Sequence, residues 1–280
     1  MGEESRPWRY AIASVAGTGH LRQGLPCQDA ARCEVIEAPA GAVLVAVVAD
    51  GAGSAARSDE GARVACDRFA AAVRGVLVAG GGPRGMTRAF VVAWLADFQA
   101  EIAARAAAAG GVPRDYACTL LAAIVGGDAA AYCQIGDGAI VVAAPDAAGE
   151  YCWVFWPQQG EYENTTHFAT DPAAANLIAV EVAARPVDEV ALFSDGLQRL
   201  ALHYEGRTAH APFFRPMFAP VRAAEPGHAE VLSAQLAAFL DSAPVNARTD
   251  DDKSLVLATR RPQHETPPAA GEEIGREAPA

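Results

Sequence analysis

Two aspartates in this 280-residue chain stand where an apolar segment ends and a glycine turn begins. Asp50 follows a run of Val, Leu and Ala and precedes Gly51, and Asp195 follows a second apolar run and precedes Gly196. Glycine lets the backbone approach a ligand closely, so a carboxylate and a neighbouring carbonyl can face the same cation. One such motif alone is explained equally well as an ordinary turn from a strand into a loop.

Further aspartates occupy similar positions. Asp137 lies between two glycines after an apolar segment, and Asp251 is the middle one of three aspartates just before the last apolar segment. Adjacent carboxylates repel one another and are normally solvated, but a divalent cation would offset that repulsion beside a buried strand. Asp29, at the start of a predicted strand, is the least distinctive of the group. We interpret the recurrence as a metal site with oxygen ligands.

Short β-branched and apolar segments between turn residues predict the strands that position these aspartates. The strand before Asp50 has no polar alternation, which is typical of a strand covered on both faces. The four strands after Cys118 are separated by turn residues and predict a meander. The predicted strands are Trp8–Val15, Ala30–Ile36, Val43–Ala49, Thr119–Val125, Ala129–Ile135, Ala139–Ala144, Tyr151–Trp156, Val190–Phe193 and Leu255–Ala258.

Apolar residues at helical spacing predict three helices, Ser58–Val78, Thr87–Ala108 and Ala229–Leu240, with Ser58 and Thr87 as N-caps of the first two. Strands on both sides of a helical pair, with another helix late in the chain, favour an α+β fold. We expect a four-layer α-β-β-α sandwich with two central antiparallel sheets flanked by helices.

The bulk properties exclude several classes of protein. The net charge of -12 makes nucleic acid or an anionic membrane an unfavourable partner. The N-terminus lacks the basic start and apolar run of a signal peptide, and no apolar run approaches the length of a membrane span. We therefore expect a cytoplasmic protein with one catalytic domain over residues 1–261. Residues 262–280, rich in Pro and Glu, predict a disordered tail.

The order of these motifs resembles that of the metal-dependent protein phosphatases of type 2C, the PPM family. The resemblance extends from about Tyr10 to Ala258, and the sequence Cys27-Gln28-Asp29 resembles that of a bacterial branch of the family. Each motif is short and common, but six of them in the family's order make a specific signal. The motifs are Gln28-Asp29, Asp50-Gly51-Ala52-Gly53, Cys118-Thr119, Gly136-Asp137-Gly138, Ser194-Asp195-Gly196 and Asp251-Asp252-Lys253-Ser254.

The resemblance implies two Mn²⁺ or Mg²⁺ ions at one end of the sandwich. Asp50 would bridge both ions, the Gly51 carbonyl would bind one of them, and Asp195 and Asp251 would bind the other. Two ions that share a carboxylate would lower the pKa of a bridging water, which would attack phosphorus without a phosphoenzyme intermediate.

Other positions have implied supporting roles. Gln28 and Asp29 would hold metal-bound waters, and Asp137 matches the position of a weaker third metal. Arg199 stands where an acidic residue is common in the family, which weakens the case for that third ion.

Two departures from the family concern the substrate. Many relatives have a histidine where this chain has Ala52, and the arginine that binds phosphate is replaced by Gly24. Arg22 and His20 are the candidates for binding the phosphate, and His20 joins Asp50 and Asp195 in the predicted catalytic set. A lone histidine is more often a surface or structural group, so His20 is a hypothesis.

Three functions fit the sequence. The first is an active phosphatase for phosphoserine and phosphothreonine proteins, which we expect to be substrates of a partner kinase, and it is favoured because Asp50, Asp195 and Asp251 are retained. The second is a catalytically weak phosphatase-like module that binds or regulates another protein. The third is a metal-dependent hydrolase of small phosphoesters. The oligomeric state stays open.

Overall fold

Two β-sheets form the centre of the molecule. The structure is a computed structural model that describes residues 6–144, 147, 149–158 and 166–261, so the predicted tail lies outside the described residues. The strands are β1 (Arg9–Val15), β2 (Ala30–Ala38), β3 (Gly41–Ala49), β4 (Leu120–Val125), β5 (Ala130–Ile135), β6 (Ala139–Ala143), β7 (Tyr151–Trp153), β8 (Ala179–Ala183), β9 (Glu189–Phe193), β10 (Leu202–His203), β11 (Thr208–Ala209), β12 (Gly227–His228) and β13 (Lys253–Thr259).

The two main sheets have five and six strands. The first has the order β2-β3-β4-β5-β8, and the second has the order β12-β1-β13-β9-β6-β7. The pairs are antiparallel apart from the two-residue pairing of β12 with β1. Strands β10 and β11 form a separate hairpin.

Helices cover the outer faces of both sheets. Their bounds are α1 (Thr18–Gln23), α2 (Ser58–Val78), α3 (Arg88–Ala108), α4 (Ala174–Leu177), α5 (Gln198–Ala201), α6 (Ala211–Ala223), α7 (Glu230–Leu240) and α8 (Ala243–Asn246). Helices α2 and α3 pack on the five-stranded sheet, and α6 and α7 pack on the six-stranded sheet. The predicted four-layer sandwich is therefore confirmed.

Strand β3 is covered on one face by the helical layer and on the other face by the second sheet. Val45 and Val47 face the helical layer, and Leu44, Ala46 and Val48 face the other sheet. Because successive side chains of a strand point to opposite faces, a strand between two layers needs apolar residues at every position. The prediction that this strand is covered on both faces is confirmed.

The predicted meander after Cys118 is wrong. Strands β4 and β5 belong to the five-stranded sheet, whereas β6 and β7 belong to the six-stranded sheet. The chain changes sheets at Gly136, whose φ of 108° lies in the left-handed region that favours glycine. A turn signal in the sequence does not distinguish a hairpin from such a crossover, because both need the same residue types.

Other local predictions differ in detail. Thr87 caps α3 as predicted, but Ser58 is the first residue of α2, and its hydroxyl donates to the Ala55 carbonyl instead of capping. Helix α6 was not predicted, because Pro216 and Pro220 lie inside it and proline disfavours a helix interior. Within the described ranges, none of the helices combines the length and hydropathy needed to cross a bilayer.

Candidate metal centre

The pairing of β9 with β13 brings together aspartates that are more than 50 residues apart in sequence. Phe193 at the end of β9 lies opposite Leu255 near the start of β13, so the segment after one strand adjoins the segment before the other. A Cβ on Gly196 would lie 2.0 Å from the Asp252 carbonyl oxygen, so only glycine allows this approach. Asp195 and Asp251 consequently share one end of the sheet.

Three carboxylates converge at this end of the sandwich. Asp50, Asp137 and Asp195 each offer a carboxylate oxygen, and these three oxygens lie within 4.8 Å of one another. Asp50 and Asp137 follow β3 and β5 of the five-stranded sheet, and Asp195 follows β9 of the six-stranded sheet. The triad therefore sits where the two sheets meet, at a spacing that one or more cations can bridge.

The backbone of Asp50 is held on both sides by Thr119. The Asp50 N–H donates to Thr119 Oγ1 at 2.9 Å, and the Thr119 N–H donates to the Asp50 carbonyl at 2.8 Å. A Cβ on Gly51 would lie 2.5 Å from the Gln28 carbonyl oxygen and 2.8 Å from the Ser58 backbone. Glycine is required at position 51 by this packing, which fixes the direction in which Asp50 leaves the strand.

Asp29 is a buried carboxylate beside the triad. Its Oδ2 accepts from the Ser194 hydroxyl at 2.7 Å, and the same hydroxyl accepts from the Ser254 N–H at 2.9 Å. Its Oδ1 and the Oε1 of Gln28 are buried and have no hydrogen-bond partner among the described residues. Buried polar oxygens without partners are costly, so a bound cation or its water shell fits this position.

The Ser194 hydroxyl gives a test of this arrangement. Ser194→Ala would leave both Asp29 Oδ2 and the Ser254 N–H without their partner, so we expect a loss of about 1–3 kcal/mol in the free energy of unfolding. Urea denaturation in the absence of metal measures this loss. An unchanged free energy of unfolding would contradict the role assigned to this hydroxyl.

Asp137 and Asp251 differ in their surroundings. The Asp137 carboxylate accepts from the Thr166 hydroxyl, and its carbonyl accepts from the Gln198 side chain. Asp251 lines the same cavity as Asp137 and Asp195 but is not a member of the triad, and its Oδ1 accepts from the Asp252 N–H at 2.9 Å.

The electrostatics of the site favour a bound cation. Burial, reinforced by the charges of neighbouring carboxylates, raises the pKa of Asp50 well above its usual value. Burial and nearby carboxylates likewise raise the pKa of Asp29 and Asp195, although the Ser194 hydroxyl partly offsets this for Asp29. Without a cation, the carboxylates of Asp29, Asp50 and Asp195 tend to retain protons, and a bound cation would favour their ionised forms. Since the ligand atoms are oxygens, hard divalent ions such as Mg²⁺ or Mn²⁺ fit best.

A cavity of about 510 Å³ opens beside the triad. Its wall includes Asp137, Asp195 and Asp251 together with Arg199 and Arg248. Neither arginine forms an ion pair with another described residue. Arg248 was missed by sequence reasoning, because it belongs to no motif and only the fold brings it to this wall.

Both predicted phosphate-binding residues, His20 and Arg22, lie in α1. The Arg22 guanidinium donates to the Thr18 carbonyl at 2.9 Å and to Asp250 at 3.3 Å, is largely exposed, and is not part of the cavity wall. Gly24, which stands at the expected arginine position, ends α1 with a φ of 70°. That conformation favours glycine and accounts for the missing arginine.

His20 points toward the turn that follows Asp50. Its Nδ1 lies 2.8 Å from Asp252 Oδ2, and its Nε2 would be 3.7 Å from a Cβ on Gly53. The structure thus places His20 beside the Asp50 turn, and neither His20 nor Arg22 is among the residues that line the cavity.

Comparison with known proteins gives matches over nearly the whole chain. The sequence pattern of the family described as protein phosphatase 2C matches residues 16–241. The chain is 37% identical over 252 residues to serine/threonine-protein phosphatase 3 of Escherichia coli (strain K12), a match that covers 90% of this chain and 98% of the relative.

Solved structures share the fold at low sequence identity. The serine/threonine phosphatase Stp1 from Staphylococcus aureus matches with a TM-score of 0.57 and 14% identity, covering 92% of this chain and 98% of that one. RsbX, solved in complex with magnesium, matches with a TM-score of 0.52 and 14% identity, covering 92% of this chain and 97% of that one. These two similarities concern the fold alone.

Proposed function

The chain belongs to the protein phosphatase 2C family, and from this premise we propose that it is a metal-dependent phosphatase for phosphoserine and phosphothreonine in proteins. The family predicted from the order of the motifs is confirmed. The observation that carries the proposal is the carboxylate triad of Asp50, Asp137 and Asp195 beside an open cavity. A catalytically weak binding module is less well supported, because such a module has no need to retain these repelling carboxylates.

We assign the metal-binding residues as follows. Asp50, the Gly51 carbonyl, Asp195 and Asp251 would hold two Mn²⁺ or Mg²⁺ ions. When bound, these ions would lower the pKa of water and offset the negative charge on the phosphoryl oxygens. Only oxygen ligands are offered, and Asp50 lies close enough to Asp29 and Asp195 for their charges to raise its pKa, which supports its assignment as a metal ligand.

The remaining acidic and amide groups have supporting roles in this proposal. The buried oxygens of Asp29 and Gln28 that have no partner among the described residues would accept hydrogen bonds from metal-bound water. Asp137, whose carboxylate lies close to that of Asp195, would contribute to a weaker third metal position.

Substrate binding and proton transfer use cationic residues. Arg22 remains a candidate for the phosphate, and Arg199 and Arg248 in the cavity wall add positive charge that suits a phosphoryl group. His20, beside the Asp50 turn, donates a proton to the leaving seryl or threonyl oxygen. We further propose that the domain covers residues 1–261 and acts in the cytoplasm on products of a partner kinase.

Phosphate release from a phosphoserine or phosphothreonine peptide tests the function. We expect hydrolysis with Mn²⁺ or Mg²⁺ and none above background after treatment with a chelator, because carboxylates alone offer no electrophile to a phosphate. A phosphotyrosine peptide and a sugar phosphate serve as controls for the alternative of a small-phosphoester hydrolase. Full activity in the chelator, or hydrolysis of the small esters alone, would overturn the proposal.

A further inference from the structure

Asp252 is a buried carboxylate that the proposed metal site does not use. Asp252 is only 2% exposed. The two preceding aspartates differ from it, because Asp250 is exposed and pairs with Arg22, and Asp251 lines the cavity. We propose that Asp252 is a positioning residue that holds the His20 imidazole with Nε2 directed at the Asp50 turn. The proposal rests on the proposed phosphatase function and adds the residue that makes its proton donor effective.

The contacts of Asp252 leave its carboxylate little freedom. Oδ1 accepts from the Gly17 N–H at 2.6 Å, and Oδ2 accepts from the Gln28 N–H at 2.5 Å. Two backbone donors, one on each oxygen, fix the plane of the carboxylate. Gly17 and Gln28 bracket the segment that carries His20, so the same carboxylate anchors both ends of that segment.

The imidazole lies against the same group. Its Nδ1 is buried and lies 2.8 Å from Asp252 Oδ2, but the two atoms do not form a hydrogen bond of regular geometry, and no other described group partners this nitrogen. Because a buried N–H without an acceptor is costly, Asp252 is the acceptor within reach for a proton on Nδ1. The other nitrogen, Nε2, then faces Gly53 in the turn that begins at Asp50. A Cβ on Gly53 would lie 3.7 Å from Nε2, which is an ordinary van der Waals distance, so this nitrogen and the turn are direct neighbours. A histidine oriented by a buried carboxylate in this way is suited to proton transfer at Nε2.

The chemical step balances without another reactant. Water attacks phosphorus, and the bond from phosphorus to the seryl oxygen breaks. The leaving oxygen takes the proton from Nε2 of the doubly protonated His20, which becomes neutral while Nδ1 keeps its proton toward Asp252. The proton lost by the attacking water restores His20, so the net reaction is hydrolysis.

The alternative is that Asp252 only anchors the segment between β1 and β2. Two substrates separate these roles, because a seryl oxygen leaves poorly without a proton whereas p-nitrophenolate leaves readily. For His20→Ala and Asp252→Asn we expect kcat/KM on a phosphoserine peptide to fall about 10²-fold or more, with only a few-fold loss on p-nitrophenyl phosphate. The ratio of the two activities does not depend on the fraction of protein that is folded.

A double variant and a matched control complete the experiment. In the His20→Ala background, Asp252→Asn should change this ratio no further, because the carboxylate acts through the imidazole. Asp128→Asn makes the same substitution at an exposed carboxylate paired with Arg84 and should leave the ratio unchanged. Equal losses on both substrates in Asp252→Asn would show an anchoring role only and overturn the proposal.

A spectroscopic measurement tests the orientation without turnover. In metal-free wild-type protein above pH 8, long-range ¹H–¹⁵N correlations should show the His20 ring protonated at Nδ1, with its signals assigned by their loss in His20→Ala. A ring protonated at Nε2 would overturn the proposal even if Asp252→Asn fails to fold. If the wild-type protein hydrolyses no phosphopeptide, the proposed function fails, and the tautomer still decides the positioning role.

Discussion

Replacing Asp50 with asparagine is expected to lower kcat/KM on a phosphoserine peptide by roughly 10³-fold. Asp50 lies at the centre of the acidic group, since Asp29, Asp137 and Asp195 all act on its ionisation. An amide in its place keeps the shape but removes the charge that would hold two cations near each other. Steady-state kinetics at saturating Mn²⁺ measure this loss. Activity within about tenfold of wild type would refute the assignment of Asp50.

The same variant should not be destabilised when metal is absent. Burial and neighbouring carboxylates make ionisation of Asp50 unfavourable, so a neutral side chain relieves repulsion. We expect the free energy of unfolding in a chelator at pH 7 to equal or exceed the wild-type value. Asp128→Asn, at an exposed carboxylate, is the matched control for the loss of one charge. A lower stability of the Asp50 variant would mean that the carboxylate has a structural role that the contacts do not reveal.

The second large expected effect concerns pH: the metal-free protein should lose stability as the pH rises, and bound divalent cations should reverse this trend. Burial and neighbouring carboxylates raise the pKa of Asp29 to about 8 and that of Asp195 to about 7. A carboxyl whose pKa is higher in the folded state stabilises the fold fully below its unfolded pKa. That contribution is lost as the pH rises through the folded pKa. The metal-free protein should therefore lose on the order of a few kcal/mol between pH 5 and pH 8.

Divalent cations should produce the opposite trend, because their ligands must be ionised. With excess Mg²⁺ or Mn²⁺, stability should increase relative to the metal-free protein as the pH rises, and most strongly near pH 8. Urea unfolding at pH 5.5, 6.5 and 8, with metal or with chelator, measures both trends. Asp195→Asn should flatten the metal-free profile. A metal-free stability that rises over this range would contradict the raised pKa values.

Much of the candidate site was predictable because each part has a local signal. An apolar run that ends in Asp-Gly indicates the end of a strand and a glycine that another backbone segment can approach closely. Both features depend only on residues that are neighbours in the sequence. Gly51 and Gly196 confirm this, since a Cβ at either position would collide with backbone atoms. The bounds of α2 were also predictable, since its apolar residues recur at helical spacing over 21 residues.

Which distant segments pair or pack together could not be predicted from such local signals. The turn at Gly136 reads as a hairpin in the sequence, yet it carries the chain from one sheet to the other. Helix α6 forms despite two internal prolines because Phe214 and Phe218 are buried against the six-stranded sheet. In these cases tertiary packing outweighs the local preference.

The sequence by itself determined the family, the order of the layers and the aspartates Asp50, Asp137 and Asp195 that converge at one end of the sandwich, because motif order and apolar periodicity are properties of neighbouring residues. Only the tertiary structure decided which carboxylates of the run from Asp250 to Asp252 are exposed, line the cavity or are buried. It also placed Arg248 in the cavity wall and His20 against Asp252. The physical reason is that burial and charge pairing depend on residues from other strands, and a local pattern carries no record of them.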